Sequence, residues 1–400
     1  MQLFKKTPKY DFMGMSRFFA SASAVAVLAS LIAIFTIQPK FGIDFVGGSE
    51  IQVKFKDASV TPAEIRSVLA KMGFSGYDVV SFGNDKSEYL IQLKEVSTIA
   101  EGARKKYKDA FKTGISDAKL YKFEFSPGGD KLSLSLSRDI GIDAVEEVAR
   151  KAGLDLGESV TEQGEVDEER DEDSSRRCES ATCTWAFKNA QIYEISLAGV
   201  AEQVVEELRK ETWGKGAVKL RSEWVGAKVG SQLRNAGIAS LGYALLFIMV
   251  YIAFRFDFRF APGAVIALIH DIIITLGIFT VFRVEVTLTT VAALLTIVGY
   301  SLNDTIVVFD RIRENLQITR EVKLASLVNT SVNETLSRTI MTSATTIMAT
   351  VVLLTLGWKT SLRDFSLALT IGIIIGTYSS IYIASPVVVW LDRFSSEKKA

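Results

Sequence analysis

Six stretches of the chain are long and apolar enough to predict helices that cross a membrane. Phe18 to Ile37, Ala236 to Phe254, Thr339 to Trp358 and Phe365 to Leu391 contain no charged residue, whereas Phe260 to Phe282 and Val286 to Phe309 are as long but carry His270, Asp271 and Asp304. A hydrocarbon core of about 30 Å takes roughly 20 helical residues. Backbone groups in lipid must bond within their own segment, so the spans are helical. They are expected at 18–37, 236–254, 260–282, 286–309, 339–358 and 365–391. The segment 310–338 reads as an amphipathic connecting loop.

A different pattern fills 38–232. Ile51 to Phe55 alternates apolar and polar residues, as a half-buried strand does. Thr61, Pro62 and Glu64 form a capping-box start for a helix reaching Met72. Strands at Tyr77 to Phe82 and Tyr89 to Leu93 follow. A second unit comprises a helix at Ser97 to Phe111, strands at Leu120 to Phe125 and Leu132 to Leu136, and a helix at Ile140 to Lys151. A third set is a strand at Gln191 to Ser196, a helix at Leu197 to Thr212 and a strand at Ala217 to Trp224. Units of this kind form ferredoxin-like layers. The expected fold class is therefore a polytopic α-helical membrane protein with six transmembrane helices and an α+β ferredoxin-like outer domain of two or three layers.

Composition adds little, because a charged middle region dilutes the spans to 48% hydrophobic and the formal charge is zero. The distribution of charge is more telling. One set of flanks holds Lys5, Lys6, Lys9, Arg17, Arg255, Arg259, Arg311, Arg313, Arg320, Lys323, Arg338, Arg393, Lys398 and Lys399, and the short opposite loops hold only Arg283, Lys359 and Arg363. The positive-inside rule then puts both termini, 1–17 and 392–400, in the cytoplasm and 38–232 outside, in the periplasm of a bacterial inner membrane. The first apolar run exceeds a signal-peptide core and ends without an A-x-A site directly before Gln38, which favours an uncleaved anchor;.

Residues 158–177 are dense in acids and read as a solvated linker. Cys178 and Cys183, four residues apart in an oxidising compartment, suggest a small disulfide; a reversed topology would leave two thiols. Two cysteines without a nearby histidine supply too few ligands for zinc, so no metal site is expected. His270 is the only histidine, which excludes an HExxH motif and a His-centred triad. A Walker phosphate loop and a dinucleotide loop are also missing. Neither an enzyme nor a resident cofactor is expected, and nothing points to nucleic acid.

The remaining chemistry lies inside the spans. A carboxylate on a helix in lipid costs at least about 2.5–3.5 kcal/mol, so it faces a partner, the bundle interior or a wet path. Asp304 lies about six residues, or roughly 9 Å, from the cytoplasmic end of its span. Tyr300, Ser301, Asn303 and Thr305 are its helical neighbours. Thr339, Thr342, Ser343, Thr346 and Thr350 line one face of the next span, and Arg338 enters from the same side. A proton relay through Asp304, with Arg338 as its cation, is one reading, and a static ion pair is the other. His270 and Asp271 either form a second protonatable site or bond neighbouring helices. Gly372 and Gly376 make a GxxxG pattern, which implies close helix packing.

Several strings resemble one family in order and position. Gly42-Ile-Asp-Phe-Val-Gly-Gly, containing Gly42, Asp44, Gly47 and Gly48, resembles the motif that joins the outer domain to the membrane in the SecF branch of the SecD/SecF family. Val225-Gly-Ala-Lys-Val-Gly resembles the family's V-G-P-x-V-G with Ala227 for proline. Arg255 to Arg259, His270-Asp271, Gly299 to Asn315 and Ser337 to Ser343 also match. The resemblance implies an RND/SecF-like half bundle. It further implies SecD and the SecYEG channel as partners, and use of the proton gradient to assist late export of an unfolded preprotein emerging in the periplasm. It identifies Asp304 with the family's membrane aspartate and Arg338 with its partner arginine. The outer domain is about twice the usual size, so 96–189 looks inserted. Two rival readings remain: an RND-type exporter of small molecules or lipids, which would carry both halves on one chain, and a non-transporting scaffold.

Overall fold

The structure is a computed structural model that describes residues 7–57, 59–74, 76–82, 87–94, 101–115, 118–126, 129, 131–154, 156–163, 191–197, 199–214, 216–256, 259–318, 323–358, 360 and 362–397. The chain divides into a unit made of Met1–Phe45 with Ser231–Ala400 and a second unit, Val46–Gly230. Both cysteines and 164–177 of the acidic segment lie outside the described residues.

The chain opens with α1 (Phe12–Thr36), β1 (Lys40–Phe41) and α2 (Ile43–Val46). The outer unit follows with β2 (Gly48–Lys54), α3 (Pro62–Lys71), β3 (Tyr77–Ser81) and β4 (Glu88–Leu93). Next come α4 (Glu101–Gly114), β5 (Leu120–Phe125), β6 (Lys131–Leu136), α5 (Ile142–Lys151), β7 (Leu156–Gln163) and β8 (Gln191–Leu197). Then α6 (Val200–Lys210) and β9 (Val218–Val225) lead to α7 (Ala227–Arg255) and α8 (Ala261–Val281). The chain finishes with β10 (Glu285–Val286), α9 (Leu288–Ile318), α10 (Leu324–Leu356), α11 (Leu362–Ser379), a π turn at Ser380–Ala384 and α12 (Ser385–Glu397).

Among the described residues the outer unit has two four-stranded sheets, within the expected two or three layers. The first has the order β3-β4-β2-β9, with every neighbouring pair antiparallel. With α3 between β2 and β3, and α6 before β9, this is the βαββαβ order of a ferredoxin-like layer. Ile51, Val53 and Phe55 point inward and meet Ile65 and Leu69 of α3 and Val204 and Leu208 of α6. The expected capping box forms: Thr61 N donates to Glu64 Oε2 at 2.8 Å, and Glu64 N donates to Thr61 Oγ1 at 3.4 Å.

The second sheet is β5-β6-β8-β7, again antiparallel throughout. Its chain order, α-β-β-α-β-β, is the ferredoxin-like order with the first strand moved to the end. β6 shows why the strands form: in Lys131-Leu-Ser-Leu-Ser-Leu136 the three leucines alternate inward and are fully buried against Phe111, Val145 and Ala149;.

Two expectations change as a result. The strand at 191–197 belongs to the inserted layer, between β6 and β7, while the helix and strand after it return to the first layer. The second layer therefore runs past residue 189 to Leu197. The acidic segment also begins inside β7, so 158–163 are strand and not linker.

In the membrane unit six helices are long and apolar enough to span a bilayer: Phe12–Thr36, Ala227–Arg255, Ala261–Val281, Leu288–Ile318, Leu324–Leu356 and Leu362–Asp392. The expected loop at 310–338 is largely helical, because α9 runs to Ile318 and α10 starts at Leu324. The last span is widened by its π turn, where Ser385 Oγ donates to Ser380 O at 2.9 Å;.

Apolar burial gives helices little reason to associate in lipid, so close backbone approach matters more. Glycines provide it here. A Cβ on Gly372 would lie 2.2 Å from Ile297, and one on Gly376 would lie 2.9 Å from Ser301. The GxxxG pattern thus seats α11 against α9. Gly277 does the same against Ser30, and Gly263 against the carbonyl of Ala384 in the π turn.

Candidate functional site

Two carboxylates are buried within the helical bundle. Asp304 on α9 is 2% exposed and Asp271 on α8 is fully buried, yet their surroundings differ.

Asp271 is tightly held. Its Oδ2 accepts from Ser301 Oγ of α9 at 2.7 Å and from Ser379 Oγ of α11 at 2.9 Å. Its Oδ1 lies 2.9 Å from His270 Nδ1. Three short contacts from three helices bond neighbouring elements together, one of the two roles the sequence left open. His270 stacks on Tyr378, whose hydroxyl donates to Phe19 O at 2.9 Å and lies 2.8 Å from Ser23 Oγ. His270 Nε2 is buried with no hydrogen-bond partner among the described residues.

Asp304 is loosely held. Thr342 Oγ1 lies 3.4 Å from Oδ1 and Ser343 Oγ lies 3.2 Å from Oδ2. Hydroxyl contacts to an ionised carboxylate shorten to about 2.5–2.7 Å when strong, so neither is. The single hydrogen on Thr342 Oγ1 has nearer acceptors at Thr339 O, 2.9 Å, and Arg338 O, 3.0 Å. Ser343 Oγ in turn accepts from Thr377 Oγ1 of α11 at 2.7 Å. Hydroxyls donate or accept by rotating. This shell can therefore satisfy Asp304 both as a carboxylate, which accepts, and as an acid, which donates. The contacts of Asp271 are shorter, at 2.7–2.9 Å.

The hydroxyl face expected on the fifth span is present. Besides Thr342 and Ser343, Thr346 Oγ1 donates to Tyr300 OH at 3.1 Å, and Thr350 Oγ1 accepts from Thr370 Oγ1 at 3.0 Å. Thr339 Oγ1 is buried and has no hydrogen-bond partner among the described residues. Two expected members make no hydrogen bond or ion pair to Asp304 among the described residues. Arg338 is exposed, one turn before Thr342 on the same face of α10, and acts on Asp304 only through its charge;. Asn303 is also exposed, being rotated about 100° from Asp304 on the same helix;. Thr305 is buried beside Asp304. Sequence reading passed over the α11 hydroxyls, although Ser366, Thr370 and Thr377 recur at spacings of four and seven.

The glycine motif divides between the units. In the membrane unit, Gly42 N donates to Val286 O at 3.0 Å, where β1 pairs parallel with β10. Asp44 Oδ2 accepts from Leu288 N at 3.0 Å and so caps the start of α9;. In the outer unit, Gly47 has φ +83° and would place a Cβ 2.7 Å from Ala227 Cα. Gly48 has φ +133° and would place one 2.3 Å from Leu93 O.

Together these features define a polytopic helical membrane protein with ionisable groups in its bundle and a large α/β unit between its first two spans. Residues 204–394 match the family described as "Protein export membrane protein SecD/SecF, C-terminal", and residues 32–59 match the "SecD/SecF GG Motif". The chain belongs to the SecF family of protein-export membrane proteins. It is 35% identical over 405 residues to the protein translocase subunit SecF of Koribacter versatilis, covering 97% of this chain and 93% of that protein. Against SecF of Magnetococcus marinus it is 34% identical, covering 100% and 97%. These alignments run through the inserted layer, whereas that with SecF of Vibrio alginolyticus, 47% identical, covers 48% of this chain and 60% of that protein. A crystal structure of SecDF from Thermus thermophilus superposes with a TM-score of 0.55 at 26% identity, covering 98% of this chain. This chain spans 40% of that longer one.

Proposed function

We propose that this chain is the SecF-type half of a protein-export accessory in a bacterial inner membrane, with both termini cytoplasmic and 38–232 periplasmic. Its partner is a SecD-like chain, since the superposed SecDF is a single longer chain of which this one spans less than half. The pair serves a SecYEG-type channel and acts on unfolded preprotein as it emerges. Asp304 is the proton carrier. The observation that carries this reading is its weakly bonded shell of rotatable hydroxyls, which accepts either protonation state;. A proton can drive a conformational change only if it binds the two conformations unequally. Movement of Thr342 and Ser343 with α10 would supply that difference. Asp271 and His270 act as the fixed pivot between α8, α9 and α11.

The test is secretion in cells depleted of their own SecF and supplied with this chain and its SecD-like neighbour. Wild type should restore secretion and co-purify with that neighbour, and Asp304→Asn should co-purify but not restore. Normal secretion by Asp304→Asn would remove the relay. Accumulation of small-molecule substrates with unaltered secretion would favour an exporter instead.

A further inference from the structure

A groove of about 600 Å³ opens on the membrane unit between the start of α1 and the π turn with α12. That is within the size range of sites that take small ligands. Its walls are Met13, Gly14 and Ala20 on α1 and Ile383, Pro386 and Val387 opposite. The sequence accounts for the space. Gly14 and Ala20 contribute almost no side chain, the π turn widens the opposite helix, and Pro386 has no N–H to give to the carbonyl four residues earlier.

Three features at the mouth set its chemistry. Arg17 lines the groove, is exposed, and forms no ion pair among the described residues. Ala325 also lines it, in the first turn of α10, a 33-residue helix whose N-cap, Lys323, gives no side-chain cap. Ser326 N and Leu327 N of that turn donate to Lys323 O, and Leu324 N and Ala325 N have no hydrogen bond among the described residues; those two N–H groups and the helix dipole favour an anion;. Trp390 lines the groove and is 57% exposed, as an aromatic at the membrane–water boundary is;. Asp11 lies next to Gly14 but its carboxylate is engaged by Gly14 N at 2.8 Å, so Arg17 is the charged side chain that lines the groove, above apolar walls, at the level where α1 enters its apolar run.

We propose that this groove binds one anionic phospholipid, with its phosphate on Arg17 and the α10 N-terminus and an acyl chain along Ala20 and Val387. A zwitterionic lipid matches the walls equally but brings its own cation to the mouth, so charge complementarity selects the anionic headgroup. The proposal is independent of the export reading, requiring only that α1 and α12 lie in a bilayer.

The test uses the full chain reconstituted in phosphatidylcholine nanodiscs with graded phosphatidylglycerol, and native mass spectrometry to count retained lipids. Wild type should retain one phosphatidylglycerol per chain in preference to phosphatidylcholine. Arg17→Gln should weaken retention about fivefold, the effect of one cation at a membrane surface. Val387→Trp should block it by filling the groove; Ala20→Leu, at an exposed position, serves the same purpose if the larger substitution misfolds. Arg234→Gln, an exposed arginine on α7, should change nothing. The proposal is overturned if wild type shows no preference for phosphatidylglycerol, or if Arg17→Gln retains it as wild type does.

Discussion

Alanine at Gly48 should destabilise the first layer of the outer unit far more than alanine at Gly73, although both glycines have positive φ. At Gly73, φ is +82° and no atom lies within 4 Å of an added Cβ, so the cost is backbone strain alone, about 1–2 kcal/mol. At Gly48, φ is +133°, a region that costs about 1–3 kcal/mol for other residues. The Cβ would also lie 2.3 Å from Leu93 O and 3.4 Å from Leu93 C. That carbonyl cannot swing away cheaply, since Leu93 is the register partner of Ser49 in the β2–β4 ladder. Relief means giving up one or two ladder hydrogen bonds, about 0.5–1.5 kcal/mol each. The sum is about 1.5–6 kcal/mol, at mid-range roughly two- to threefold the Gly73 cost. Hydrogen–deuterium exchange of the Ile51 and Ile91 amides in the full chain reads the difference as local opening free energies. Equal protection in Gly48→Ala and Gly73→Ala would refute the claim that close approach makes the second glycine of the motif obligatory.

Other outcomes follow from the same geometry. Removing 95–198 should leave a βαββαβ layer that still folds, whereas removing 96–189 should strand β8, with Tyr193, Ile195 and Leu197 exposed; size-exclusion chromatography should find the first monodisperse and the second aggregated. Tyr193 OH donates to Asp139 Oδ1 at 2.5 Å, and this bond, with one from Gly141 N, holds the Asp139 carboxyl below its usual range. Its folded value lies below its unfolded one, so the stabilisation is present above about pH 4 and is lost as pH falls through the folded value. Tyr193→Phe should therefore flatten the acid limb of the inserted layer's stability curve, seen in urea unfolding at pH 3 to 7. Ser343→Ala leaves Asp304 with one distant hydroxyl and should slow gradient-dependent secretion severalfold, less than Asp304→Asn does; an unchanged rate would show that Ser343 is not part of the relay.

Much of this fold was readable from local pattern. The spans announced themselves by length, β6 by its alternating leucines, and the Thr61 cap by its spacing. The hydroxyl face of α10 was also readable, because helical period alone puts Thr342, Ser343 and Thr346 together. What local pattern does not encode is which strand pairs with which. β8 has the same alternation whether it sits in the first layer or the second, so its transfer to the inserted layer was invisible. The height at which one helix packs on another is equally silent. Arg338 and Thr342 share one face of α10 a turn apart, yet only the second comes within 3.4 Å of Asp304, because the packing of α10 on α9 decides which turn faces the carboxylate. The π turn lies beside Gly263, and its one local mark is Pro386, which has no N–H for the carbonyl of Tyr382;.

The central claim is that Asp304 takes up and releases a proton within its hydroxyl shell, while Asp271 stays fixed. Proton flux into vesicles carrying this chain with its SecD-like partner, under an imposed pH gradient, tests it most directly. Wild type should conduct, Asp304→Asn should fall to the level of empty vesicles, and Asp304→Glu should retain part of the flux. Undiminished flux through Asp304→Asn would contradict the account.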